Sequence, residues 1–145
     1  MKIEIKRLTE TAKIPDRGSA LAAGYDLFAD IPETCVIPAG VTKMIGTGLS
    51  LAIPTGYFGG VYARSGLSAK EGLRPANCTG VIDADYRGEI MVALHNDSED
   101  ARYVNPGQKI AQLVIQPHLS VEFEERSELS ETERGRGGFG STGNT

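Results

Sequence analysis

Apolar runs in this chain are short, and each is closed within a few residues by Gly, Pro, Asn or Asp. That spacing leaves little room for helices and sets the fold class. Ile3 and Ile5 alternate with Glu4 and Lys6, the period of a half-buried strand. Residues 8–21, with Pro15, Asp16, Gly18 and Ser19, read as a loop. Tyr25–Phe28 and Cys35–Ile37 follow as short strands with a turn at Pro32 between them. Residues 42–53 read as one longer strand interrupted by Gly46 and Gly48. Residues 57–63, Thr79–Ile82, 90–95 and 110–116 continue the series, and Val121, Glu122 and Phe123 close it. Only residues 65–73 have room for a helix, and it is short. With 18 Gly and 7 Pro as punctuation, the pattern predicts an all-β fold: a sandwich, jelly roll or barrel.

A chain of 145 residues supports one domain, here expected over residues 1–126. From residue 127 to 145 the sequence turns polar and Gly-rich, which makes an arm rather than a second domain. A net charge of −4 argues against broad nucleic-acid binding, which needs a basic face. A single nucleotide is compatible with it, because a few local arginines suffice. Cys35 and Cys78 show no metal or disulfide spacing and are expected to be reduced thiols. The first six residues lack an apolar signal core, and no stretch approaches the roughly 20 apolar residues of a membrane span. The expectation is a soluble, cytoplasmic protein with no membrane partner.

The arm carries Arg134, Arg136, Phe139, Ser141 and Thr142 within a glycine-rich run. Glycine at this density costs much ordering entropy, so the arm is expected to be flexible alone. Its backbone N–H groups can wrap an oxyanion, its arginines can grip phosphate, and Phe139 offers a face for a base. The set reads as a flap that orders over a phosphorylated, base-bearing ligand. An arm of this kind is useful only if something catches it, which points to a neighbouring subunit in a closed oligomer.

Four interior segments can carry chemistry. Arg64, Ser65 and Gly66 follow an apolar strand and open the short helix, where an arginine, a hydroxyl and backbone N–H groups form an anion site. Ser65 can equally serve only as the helix cap. Asp83, Asp85 and Tyr86 sit in a tight connection between two strands, which is either solvated turn chemistry or an acid presented at the end of a strand. Asp26 lies between Tyr25 and Leu27, either a surface acid on an edge strand or a functional group. Gln112 lies inside the apolar run that follows Pro106 and Gly107, where it can as easily face solvent as a site.

In order, Ala23-Gly24-Tyr25-Asp26-Leu27, Ala63-Arg64-Ser65-Gly66-Leu67, Gly80-Val81-Ile82-Asp83-Ala84-Asp85-Tyr86, Pro106-Gly107-Gln108-Lys109-Ile110-Ala111-Gln112 and Arg134-Gly135-Arg136-Gly137-Gly138-Phe139-Gly140-Ser141 resemble the five motifs of trimeric dUTPases. The resemblance covers nearly the whole chain. It implies a jelly-roll-like β fold and a homotrimer whose active sites are each built from three subunits. It also implies hydrolysis of dUTP to dUMP and pyrophosphate with Mg²⁺ on the triphosphate, which keeps uracil out of DNA and supplies dUMP for thymidylate synthesis.

The resemblance further assigns roles. Asp83 aligns with the acid that orients and deprotonates the attacking water; an aspartate is a weak base, so positioning must supply much of the effect. Arg64, Ser65, Gly66 and Gln112 match phosphate contacts, and Arg134, Gly140 and Ser141 belong with the γ-phosphate. Asn77, Gly80 and Val81 match the uracil-reading edge, Tyr86 the ring that packs on the deoxyribose, Met91 a sugar-pocket residue, and Phe139 the cover over uracil. Mg²⁺ is expected to have no direct protein ligand, with Asp26 either touching a metal-bound water or bracing the phosphate site. The competing expectations are a dCTP deaminase of the same fold and a dUTP-sensing regulatory module.

Overall fold

The computed structural model describes residues 1–138. Its elements, in chain order, are β1 (Glu4–Arg7), β2 (Tyr25–Phe28), β3 (Cys35–Ile37), β4 (Thr42–Gly46), β5 (Leu49–Ala52), β6 (Tyr57–Tyr62), a helical turn α1 (Leu67–Glu71), β7 (Leu73–Pro75), β8 (Thr79–Ile82), β9 (Met91–Asn96), β10 (Arg102–Val104) and β11 (Lys109–Pro117). All strand pairs are antiparallel. The main sheet runs β2-β11-β6-β8, a second runs β4-β9-β7, and β1-β5 and β10-β3 form two-stranded ribbons. The fold is the expected jelly-roll-like all-β body.

Alternation decides which faces turn inward. In β9, Val92, Leu94 and Asn96 are buried while Met91, Ala93 and His95 are not. Val92 and Leu94 join Leu27, Ile37, Ile45, Leu73, Val104 and Ile110 in one continuous core. Buried Asn96 fills all its bonding positions: its amide donates to the carbonyls of Ile37 (2.9 Å) and Asp100 (2.8 Å), and its Oδ1 accepts from the N–H and hydroxyl of Ser98.

The structure differs from the sequence expectation at four places. Residues 42–53 form two strands, because Gly48 turns the chain at φ +64° and Thr47 donates its hydroxyl to the Ile90 carbonyl at 2.7 Å. β4 therefore stays with β9 while β5 departs to pair β1. The helix is one wide turn ended by left-handed Gly72, whose N–H bonds the Leu67 carbonyl. Strands β7 and β10 were not expected; three residues, including an arginine in each, are too few to show a period. Residues 121–123 lie in no strand, and Leu119, Val121 and Phe123 point into solvent with 86%, 66% and 94% of their surface exposed. Among the described residues no helix is long and apolar enough to cross a membrane.

Candidate functional site

Two groups of the predicted residues stand at opposite ends of the β6–β8 ladder. At one end Asp26, on edge strand β2, turns its carboxylate inward rather than to solvent, with 13% of its side chain exposed. One oxygen accepts from Arg64 Nε at 2.9 Å and the other from Lys109 Nζ at 2.7 Å. Gln112 lies directly across from both Asp26 and Tyr62, and its amide donates to the Ala63 carbonyl at 2.8 Å.

A register shift between Lys109 and Ala111 makes this cluster possible. On a regular strand Lys109 and Gln112, three residues apart, face opposite sides; the bulge turns Lys109 to reach the acid that faces Gln112. Gly24 completes the cradle. A Cβ there would stand 2.3 Å from Gln112 Oε1, so only glycine leaves the amide where it is. The open hollow in front, about 390 Å³, is lined by Arg64, Gly66, Lys70, Gln108 and Lys109. Ser65 is exposed and provides no cap: the turn begins at Gly66 without a side-chain cap bond, and nothing lies within 4 Å of where a Gly66 Cβ would be.

At the other end β8 delivers Asp83, one residue beyond Ile82, which pairs with Gly59. Asp83 is exposed at a hollow of about 220 Å³ shared with Tyr57, Phe58, Val81 and His118. Among the described residues neither Asp83 nor Asp85 has an ion-pair partner. The loop behind it is tightly tied. Tyr86 N–H donates to the Asp83 carbonyl at 3.2 Å, Tyr86 OH to the Glu89 carbonyl at 3.0 Å, and Arg87 Nη1 to the carbonyls of Ala84 and Tyr86. A Cβ on Gly88 would stand 2.4 Å from the Tyr86 hydroxyl, so glycine there keeps the ring in place.

Between the two ends, Asn77, Gly80, Val81, Met44 and Met91 line a groove of about 130 Å³. Burial is uneven along it, with Gly80 buried against Val61 and Val81 exposed, as alternation on β8 requires. The Asn77 amide stands over Gly80, 3.4 Å from where a Cβ would be.

The ladder fixes the separation of the two ends. Asp83 follows Ile82, which pairs with Gly59, while Arg64 lies two residues beyond Tyr62 at the other end; the six residues from Phe58 to Arg64 span up to roughly 20 Å at about 3.4 Å per residue. One copy therefore assembles Arg64, Gln112 and Asp26 in one place and Asn77, Gly80, Val81, Asp83, Tyr86 and Met91 in another. Arg134 joins neither: its Nε donates to the Gly137 carbonyl in a local turn. Phe139, Gly140 and Ser141 lie outside the described residues.

Two structural contributors went unassigned from sequence. Lys109 sits in a motif whose bulge cannot be seen in the residue string, and Gly24 matters only through Gln112. Away from the site, Asp97 receives a bidentate bond from Arg74. That hydrogen bond, then the charge of Asp97, raises the Arg74 pKa further.

Comparison with known proteins gives the family. A model of the dUTPase family matches residues 10–143. The deoxyuridine 5'-triphosphate nucleotidohydrolase of Nautilia profundicola is 48% identical over 143 residues, 99% of each chain. That of Corynebacterium glutamicum is 48% identical over 99% of this chain and 95% of its own. Among solved structures, a variant dUTPase of Staphylococcus bacteriophage 80alpha with dUpNHpp superposes with a TM-score of 0.89 at 31% identity, covering 98% of each chain. A variant dUTPase of S. aureus phage phi11, described with a structural Mg(II) ion, gives 0.81 at 29% identity over 90% of this chain and 100% of its own. The five ordered motifs, the jelly-roll-like body and near-complete matches at almost half identity have one common explanation: this chain belongs to the dUTPase family of enzymes.

Proposed function

We propose that the chain hydrolyses dUTP to dUMP and pyrophosphate, with Asp83 as the base that orients and activates the attacking water. The observation that carries the proposal is the placement of Asp83: an exposed carboxylate without an ion-pair partner among the described residues, at the end of the strand whose edge lines the groove. A general base needs free lone pairs and a fixed location, and the tied loop supplies the second. The exposed edge of β8 presents strand-like donors and acceptors suited to uracil O4 and N3–H. Asn77 adds an amide, while Tyr86 and Met91 wall the sugar side against a 2′-hydroxyl.

Arg64, Ser65, Gly66 and Gln112 form the phosphate-binding half. In-line attack at the α-phosphorus releases pyrophosphate, and pre-placed donors stabilise the charge that develops on it. Since Arg64 and Asp83 lie at opposite ends of the ladder, the two halves of one site come from different copies of the chain. The assembly that the family resemblance implies is a homotrimer with shared sites, in which Arg134, Phe139, Gly140 and Ser141 of a third copy close over them. The exposed apolar row Leu119, Val121 and Phe123, leading out of β11, supports an arm that leaves its own body.

Mg²⁺ fits as a companion of the substrate rather than of the protein. Among the described residues no cluster of three ligating side chains exists, and both Asp26 oxygens already carry a cation. Each keeps a lone pair for a metal-bound water. When bound, the ion neutralises phosphate charge as pyrophosphate leaves.

The test is pyrophosphate release from dUTP, with UTP, dCTP and dTTP in parallel, in Mg²⁺ and in EDTA. Release from dUTP alone, abolished by EDTA, is expected. Ammonia from dCTP points to a deaminase instead, and no release from any nucleotide to a sensing module.

A further inference from the structure

Between Asp83 and the body of the protein runs a loop whose one basic side chain has no part in the chemistry above. We propose that Arg87 is a positioning residue: its guanidinium sets the direction in which Asp83 faces, without touching substrate. The proposal rests on the assignment of Asp83 as the base.

Arg87 is exposed, and among the described residues it pairs with no acid, although Asp83 and Asp85 are both near in sequence. Its Nη1 turns inward instead and gives its two protons to the Ala84 carbonyl at 2.7 Å and the Tyr86 carbonyl at 3.0 Å. Tyr86 N–H, bonded to the Asp83 carbonyl at 3.2 Å, closes the same turn from the other side. The peptide planes after Asp83, Ala84 and Tyr86 are thereby all held, and a backbone with fixed planes gives its Cα–Cβ bonds fixed directions.

The far side of the loop is secured independently of the guanidinium. Ser50 Oγ, almost fully buried in β5, donates to the Arg87 carbonyl at 2.7 Å. The Gly48 N–H donates to Glu89 Oε1 at 2.8 Å, and the Tyr86 hydroxyl to the Glu89 carbonyl. The loop is therefore tied to the body by the Arg87 carbonyl and the Glu89 side chain, and the guanidinium carries that rigidity back to residue 83. Without it, two loop carbonyls turn to water and the 83–86 turn keeps only its single internal N–H bond. A planar donor already fixed at its root suits this task; a flexible ammonium in its place reaches one carbonyl at a time.

Such a role predicts a specific kinetic signature. Small misplacement of a base costs turnover far more than affinity, and the groove at Asn77, Gly80 and Met91 does not depend on Arg87. The experiment uses the full chain with Arg87→Ala and Arg87→Lys, and Asp83→Asn in parallel. Three quantities are read: amide exchange of residues 83–88 against β9 and β11, kcat for dUTP, and affinity for the imido analogue dUpNHpp.

In Arg87→Ala, loop exchange is expected to quicken while the strands stay protected. On the scale of such misplacements, kcat falls by about tenfold to a hundredfold. Analogue affinity changes much less, Arg87→Lys is intermediate, and millimolar guanidinium restores part of the lost kcat in Arg87→Ala. Unchanged loop exchange, a parent kcat, or equal losses of affinity and kcat overturns the proposal. Full turnover in Asp83→Asn removes the base assignment itself; loss there with none in Arg87→Ala removes only the role of Arg87.

Discussion

The two ends of the β6–β8 ladder solve opposite problems. Around Arg64 the charged side chains are bound to one another, with Asp26 shared by Arg64 and Lys109 and the Gln112 amide bound to a carbonyl. Around Asp83 the bonds run through the main chain, and among the described residues the acid has no ion-pair partner. On the proposed function, the difference follows from what each end must do. Two cations that meet a polyanion repel one another while they wait, and a half-buried carboxylate between them holds them in place. A base must instead keep its lone pairs open, so its rigidity has to come from the backbone.

The widest break between the ends is expected from Asp83→Asn. The amide has the same shape and cannot take a proton. Turnover of dUTP should fall by about a hundredfold to ten-thousandfold, the usual span for a general base. Binding of dUpNHpp, measured by calorimetry, should survive nearly intact. Turnover at the parent rate removes Asp83 from the chemistry.

Arg64→Gln should give the contrary pattern. On the proposed function it removes a charge-assisted phosphate contact, so analogue affinity and kcat/KM fall together by about tenfold to a hundredfold. A variant that binds the analogue normally but turns over slowly shows that Arg64 acts only in the transition state.

How much of this the residues announced differs between the ends. The acid end was legible: Asp83, Tyr86 and the apolar strand before them are consecutive, so the string preserves their proximity. The phosphate end was legible only as separate motifs. Asp26, Arg64 and Gln112 come from β2, the segment after β6, and β11, and only strand pairing brings them to one place. Lys109 could not be assigned because the bulge beside it reverses its side, and a bulge leaves no mark in hydrophobic period. The same limit applied to the body: Gly48 was visible as an interruption, but the exchange of partners from β9 to β1 depends on Thr47 and Ile90, 43 residues apart.

Gly24→Ala tests the packing of the phosphate end without touching a charge. The new Cβ would meet Gln112 Oε1 at 2.3 Å and Cδ at 3.1 Å, so the amide has to swing away and release the Ala63 carbonyl. A neutral hydrogen bond contributes about 1 kcal/mol, so kcat/KM should fall by roughly fivefold to tenfold. Gly18→Ala is the control, since nothing lies within 4 Å of its Cβ position. Equal steady-state kinetics for the two variants means that Gln112 does not need its observed position.

Lys109→Met is expected to have the smallest effect, and it tests whether the two cations on Asp26 are equivalent. Lys109 is 43% exposed and reaches Asp26 from solvent, on a side chain that also lies over the Phe28 ring. An ion pair of that exposure contributes about 0–1 kcal/mol, and the Met stem keeps the apolar contact. Arg64 keeps its own bond to the other Asp26 oxygen, so kcat/KM should fall by less than about fivefold. The salt dependence of KM should weaken slightly, because one cation is gone from the edge of the hollow. A loss as large as that of Arg64→Gln makes Lys109 an equal phosphate ligand, and the pair on Asp26 then acts as one two-headed anion clamp.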